Sequence, residues 1–224
     1  MKLALFDLDH TLIPMDSDYA WGQFTVDIGW RDAEAFGRAN DVFYERYKAG
    51  TLDIQAFLDF QLAPLAGRDR AELDAWHEEY LARHIRPIIT ARGRELIQQH
   101  QANGDLVVII TATNRFITGP IAAELGVEHL IATEAEIGAD GRYTGKPTGT
   151  PCFQAGKITR LNAWLAERGQ SMASFADSWF YSDSRNDIPL LEQVNHPVAV
   201  DPDDALRAHA QDKGWPVVSL RGAF

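Results

Sequence analysis

Short, unbroken apolar runs recur along the chain, separated by stretches with helical periodicity. Lys2 to Leu8 is the first run, and it ends in acid. Leu106-Val107-Val108-Ile109-Ile110 is the second and Ser178 to Tyr181 the third, with shorter ones near Leu130, at Val198 to Val200 and at Val217 to Leu220. Runs of this length without alternation predict strands covered on both faces. Between the first two, the spacing becomes helical. One helix runs through Trp21, Phe24, Val26 and Ile28, and others span Ala33 to Ala49, Ile54 to Leu65, Ala71 to Ile85 and Thr90 to His100. Gly50, Gly67 and Pro87 punctuate them. Further on come a helix around Phe116 to Leu125 and a hairpin over Glu134 to Lys146 with its turn at Asp140-Gly141. Helices at Gly156 to Arg168, Asp187 to Val194 and Asp203 to Lys213 complete the set.

Buried strands alternating with helices predict an α/β fold, a Rossmann-like three-layer core whose parallel sheet is covered on both sides. The helical block has no strands of its own. It predicts an inserted α-helical cap over residues 16–85, with 1–15 and 86–224 forming the core. A chain of 224 residues suits this arrangement.

Composition narrows the partners. The net charge of −11 argues against nucleic acid, which needs a surplus of Lys and Arg on one face. Asp7 and Asp9 interrupt the apolar start before a signal sequence forms, and no run approaches the ~18 apolar residues of a membrane span. A lone Cys152 excludes an internal disulfide and suits a reducing compartment. These features predict a cytoplasmic protein without a membrane partner.

In a parallel sheet, ligands collect at the carboxyl ends of the strands. The first run ends in Asp7-Leu8-Asp9-His10-Thr11, the second in Thr111, and the third in Ser182-Asp183-Ser184-Arg185-Asn186-Asp187, while Lys157 opens a helix. Four carboxylates, a hydroxyl and a lysine are thus delivered to one rim. Carboxylates crowded together repel unless a hard cation joins them, and all-oxygen ligation suits Mg²⁺. One Asp can then accept a phosphoryl group, and a second can protonate the leaving oxygen and later activate water. A hydroxyl and an ammonium can hold the phosphoryl oxygens. Two other patterns fail. His77-Glu78 lacks a second His at position 81, and Gly145-Lys146 is followed by Pro147 instead of the Ser/Thr of a phosphate-binding loop.

The D-x-D-x-T segment Asp7 to Thr11, the strand ending in Thr111, Lys157 and the D-x-x-x-D pair Asp183/Asp187 resemble the four ordered motifs of the haloacid dehalogenase superfamily. A helical cap between the first two motifs resembles the phosphoserine-phosphatase-like branch. The resemblance implies a Mg²⁺-dependent phosphatase acting on a small phosphorylated metabolite. Asp7 matches the nucleophile, Asp9 the general acid/base, Thr111 the phosphate-binding hydroxyl and Lys157 the lysine that steadies both. Asp7, Asp9 (through its carbonyl), Asp183 and Asp187 match the metal-binding set, Asp187 either as a ligand or as the orienter of one. Thr113 and Asn114 are candidates for phosphate contact or for starting the next helix. One departure is Ser182, where the fourth motif often has Gly.

For the substrate, Asp16 falls where phosphoserine phosphatases place the acid that meets an ammonium, and it equally suits the start of the first helix. Gln61 falls at the position of their carboxylate-binding arginine. An amide cannot replace a bidentate Arg–carboxylate pair. That combination favours an amino-alcohol phosphate such as histidinol phosphate, although Arg31, Arg38 or Arg46 offers another source of charge. Phosphoserine hydrolysis, phosphoryl transfer to an acceptor other than water, or a silent binding protein on the same fold are the alternatives.

Overall fold

In the computed structural model, residues 1–49 and 51–221 are described, and the expected helix boundary at Gly50 lies outside them. The strands are β1 (Leu3–Phe6), β2 (Leu106–Asn114), β3 (His129–Ile137), β4 (Tyr143–Thr148), β5 (Ser178–Ser182), β6 (His196–Val200) and β7 (Val217–Val218). They form one seven-stranded sheet in the order β4-β3-β2-β1-β5-β6-β7. Every neighbouring pair is parallel except β3 and β4. The predicted hairpin is there, but its first arm is the same strand that begins near Leu130.

The helices are α1 (Ser17–Asp27), α2 (Ala33–Ala49), α3 (Ile54–Leu62), α4 (Arg70–Tyr80), α5 (Ala91–Ala102), α6 (Arg115–Glu124), α7 (Ala155–Ala166), α8 (Ile188–Leu191) and α9 (Asp204–Lys213). Several begin as the sequence dictates. Asp53, Asp69, Thr90 and Asp203 each accept a backbone N–H of the first turn from outside the helix. Helix ends are where expectation and structure differ. The α3 helix stops at Leu62 because Pro64 tightens the chain into a 3₁₀ turn, and α4 widens into a π turn over Leu81–Ile85 just before Pro87. The helix expected over Asp187 to Val194 is shorter: Pro189 sits in its first turn, where the missing N–H costs nothing, and the helix ends at Leu191 with Glu192 as its cap.

Why the strand runs do not alternate is visible in the packing. Ala4 and Phe6 of β1 face one apolar cluster and Leu3 and Leu5 the other. Val107 and Ile109 of β2 join the first cluster, and Val108 and Ile110 the second. The first cluster also contains Trp21, Phe24, Leu62, Leu73 and Tyr80, so the helical insertion is packed continuously onto one face of the sheet. Trp21 stands edge-on to Phe116 with ring centroids 5.2 Å apart and stacks on His77, which reaches Ile117 O at 3.1 Å. On its other side the insertion rests on β4. The backbone at Gly145 approaches Ala63 and Ala66 so closely that a Cβ there would lie 2.9 Å from that of Ala66. The Gly145-Lys146 pair therefore serves packing, and Lys146 pairs with Asp59 at 3.3 Å.

Candidate active site

The strand order turns at β1, whose two neighbours are reached by connections running in opposite directions. Such a switch point opens a crevice at the carboxyl edge. Asp7 follows β1 directly and its N–H donates to Tyr181 O of β5 at 2.9 Å. The chain then folds back at once: the N–H groups of Thr11, Leu12 and Ile13 all point at Leu8 O, at 3.3, 2.9 and 3.1 Å. His10 takes a positive φ of 57° to make this turn. The result aims Asp7, Asp9 and Thr11 into the crevice.

Lys157 occupies the centre. Its Nζ donates to Asp7 Oδ1 at 2.9 Å and to Asp187 Oδ2 at 2.7 Å, and all three side chains are less than a tenth exposed. Burial lowers the Lys157 pKa, but the charges of Asp187 and Asp7 outweigh it and hold the ammonium well above its ordinary value. Asp187 Oδ2 also receives the Ser182 hydroxyl at 2.6 Å. The departure from Gly at Ser182 thus supplies a donor that fixes Asp187. The sequence offered no reason to expect this, because the contact joins a strand end to a turn five residues on.

Asp9 is held on both oxygens. Ser17 N–H donates to Oδ1 at 2.8 Å and the Thr113 hydroxyl to Oδ2 at 2.7 Å. Burial and the neighbouring Asp16 charge push its pKa up to about 7. Burial likewise raises Asp7 to about 6, against the pull of Lys157. Asp183 goes to about 9, because burial is joined by repulsion from Asp7 and Asp187. The Thr11 hydroxyl donates to Asp183 Oδ1 at 3.1 Å. Among the described residues no three acidic, His or Cys side chains converge as a ready-made metal cage. Asp9 spends both carboxylate oxygens on protein donors, whereas Asp7 and Asp183 accept through Oδ1 and Asp187 through Oδ2, each with its other oxygen left over.

The remaining candidates separate. Thr111 is buried and its Oγ1 accepts the Thr113 N–H at 3.2 Å. Thr113 meets Asp9, as above. Asn114 caps α6 through Oδ1, and its amide donates to Asp18 Oδ1 at 3.3 Å. Asp16 is exposed and caps α1, accepting Tyr19 N–H at 2.9 Å. Gln61 is buried beside Arg31, which donates to its side-chain oxygen at 3.5 Å and its carbonyl at 3.0 Å. Tyr47, which sequence reasoning passed over, reaches the loop after Asp183. Its hydroxyl lies 3.4 Å from Ser184 Oγ and accepts the Asn186 amide at 3.1 Å. Cys152 is buried, its thiol pushed by burial up to about 12, and so inert.

Known proteins match nearly all of the chain. The family model for haloacid dehalogenase-like hydrolase matches residues 4–192. A histidinol-phosphatase of Neisseria meningitidis serogroup C is 49% identical across 98% of this chain and 99% of its own length. The phosphoserine phosphatase SerB1 of Mycobacterium tuberculosis is 33% identical across 97% of this chain and 70% of its own. A crystal structure of a Bordetella pertussis Tohama I protein of unknown function superposes with a TM-score of 0.93 at 49% identity, covering 98% of each chain. With its motif residues gathered on one rim of such a sheet, the chain belongs to the haloacid dehalogenase-like hydrolases and is a phosphatase of their phosphoserine-phosphatase-like branch.

Proposed function

We propose that this phosphatase hydrolyses small phosphate monoesters by way of a phosphoryl group carried on Asp7. The observation that carries the reading is Lys157, whose ammonium is buried against Asp7 Oδ1 and Asp187. It keeps Asp7 ionised and leaves Oδ2 free to attack phosphorus. As the P–O ester bond breaks, Asp9 gives its proton to the leaving oxygen. A carboxyl whose pKa lies near 7 holds that proton at neutral pH and can take one back. Water then attacks the acyl phosphate, Asp9 accepts its proton, and phosphate leaves with Asp7 restored. In this reading Thr111 and Lys157 hold the phosphoryl oxygens.

A divalent cation fits this rim. Asp7 and Asp187 are buried against a single ammonium with the half-buried Asp183 near them, and burial together with the charges of Asp7 and Asp187 raises Asp183. Asp7, Asp183 and the Asp9 carbonyl would hold Mg²⁺, with Asp187 orienting Lys157. When bound, the ion neutralises charge on the phosphoryl oxygens. Residues 16–85 act as the cap that closes over this edge, and Tyr47 is its contact with the loop after Asp183. No helix among the described residues is long and apolar enough to cross a membrane. The cytoplasm suits the one reduced thiol.

The substrate reading is histidinol phosphate, supported by the 49% identical relative of that name and by Gln61 in place of an arginine. One observation favours a carboxylated substrate such as phosphoserine instead: Arg31 lies against Gln61 and supplies the charge that the amide lacks. Comparing kcat/KM for the two substrates decides between them. For the chemistry, Asp7→Asn is expected to lower p-nitrophenyl phosphate hydrolysis by at least about 10³-fold. Survival of activity in that variant would overturn the mechanism. Mg²⁺ at about 100 times its Kd is expected to stabilise EDTA-treated protein by about 2.7 kcal/mol. For a chain of this size that is a rise of about 5–11 °C in melting temperature. An unchanged melt would remove the cation from the proposal.

A further inference from the structure

We infer that Asp18, and not Asp16, is the residue that receives the substrate's ammonium, and that this site selects 2-aminoalkyl phosphates. The inference rests on the phosphatase reading above and specifies the substrate class of the same site.

Asp16 and Asp18 stand two residues apart at the start of α1 and have opposite surroundings. Asp16 is exposed, and its carboxylate is occupied by Tyr19 N–H of its own helix. Asp18 is only 4% exposed. One of its oxygens accepts the Asn114 amide at 3.3 Å, and the other has no hydrogen-bond donor among the described residues. A buried carboxylate normally has a cation in contact. Among the described residues no ion pair within 4.0 Å reaches Asp18, although the Arg31 guanidinium is near enough to oppose the rise that burial causes. A mobile cation would complete it.

Position ties Asp18 to the chemistry by two short routes. Ser17, its chain neighbour, donates its N–H to Asp9, and Asn114, its side-chain partner, follows Thr113, which donates its hydroxyl to the other Asp9 oxygen. The general acid and Asp18 are therefore held in one rigid frame. Ser17 is 0% exposed, its side chain close enough to Asp9 to lower that carboxyl's pKa, and among the described residues its hydroxyl has no well-formed hydrogen bond. A second orphan belongs to the residue whose charge reaches Asp18: Arg31 Nε is buried without a hydrogen-bond partner among the described residues, while the rest of that guanidinium is tied to Gln61. Unsatisfied buried donors of this kind call for a ligand. An ammonium between Asp9 and Asp18, on the carbon next to the ester carbon, leaves the third substituent of that carbon facing Arg31. A hydrogen-bond acceptor there, an imidazole nitrogen or a carboxylate oxygen, satisfies Nε.

The test compares O-phosphoethanolamine with ethyl phosphate, which differ by the amine alone. Wild type is expected to prefer the aminated ester by at least about 20-fold in kcat/KM, the size of a lost hydrogen bond to a charged group. Asp18→Asn is expected to cut that preference about tenfold, mainly through KM, and Asp16→Asn to keep it within about threefold. Loss of the preference in Asp16→Asn, or its retention in Asp18→Asn, overturns the inference. A wild type indifferent to the amine also overturns it, whatever its activity on other esters. Histidinol binding gives a second readout that needs neither turnover nor a phosphate. It is expected to raise the melting temperature of wild type and to leave that of Asp18→Asn unchanged, and an equal rise in both refutes the assignment. Failure of the hydrolysis reading itself would show as no turnover of any ester. Histidinol phosphate against phosphoserine then distinguishes an imidazole from a carboxylate at Arg31.

Discussion

Removing the Lys157 ammonium tests the electrostatic frame of the site directly. Lys157→Met keeps most of the stem volume and leaves Asp7 and Asp187 facing each other with no cation between them. The side chains involved are 5%, 9% and 2% exposed, so water cannot substitute for the lost charge. Breaking a buried pair by removing one partner costs about 3–5 kcal/mol. In a chain of this size each kcal/mol moves the melting temperature by about 2–4 °C, so a fall of roughly 6–20 °C is expected in EDTA-treated protein. The interaction can be isolated with a double-mutant cycle. In an Asp7→Asn background one of the two stranded carboxylates is already neutral, so Lys157→Met should cost about half as much. Thermal unfolding followed by circular dichroism at pH 7.5 measures all four proteins. A Lys157→Met variant that melts within about 2 °C of wild type would refute the reasoning, as would single-mutant effects that simply add.

Two further predictions concern how the site is supported. A Cβ at Gly156 would lie 2.0 Å from the Pro151 carbonyl oxygen, a backbone atom that cannot swing aside. Gly156→Ala is expected to cost about 1–3 kcal/mol and to lower kcat by displacing the adjacent Lys157, whereas a melting curve and kcat both like wild type would show that α7 can shift freely. His77 is held neutral, burial lowering its pKa from 6.5 to about 4. The unfolded chain therefore takes up a proton between those values that the folded chain refuses, so stability falls as pH drops from about 6.5 to about 4 and is unaffected above that window. The loss is about 3 kcal/mol at most, and a His77→Gln variant should lack it in melts run from pH 7 to 4.5. An identical pH slope in the variant would exclude His77 as the cause.

Sequence alone was enough for the sheet and for which polar residues fall on its carboxyl edge. A strand buried on both faces needs an unbroken apolar run, and β1, β2 and β5 announced themselves by that need. Where such a strand ends, its first polar residues fall on the rim, so Asp7, Asp9, Thr111 and Asp183 could be read as neighbours though more than 170 residues separate the first from the last. The helix starts were legible for a similar local reason, since a capping side chain such as Asp53 or Asp203 contacts only its own first turn. Tertiary structure decided what each polar group does with its oxygens. Thr113 and Ser17 hold Asp9 from two different elements, and the Ser182 hydroxyl holds Asp187. Asp16 and Asp18 look alike as letters two apart, yet the turn of α1 exposes one and buries the other against Asn114. A local pattern sets which face a residue takes. Its partners come from segments distant in the chain, and whether a carboxylate caps a helix or keeps an oxygen free for other work follows from those partners.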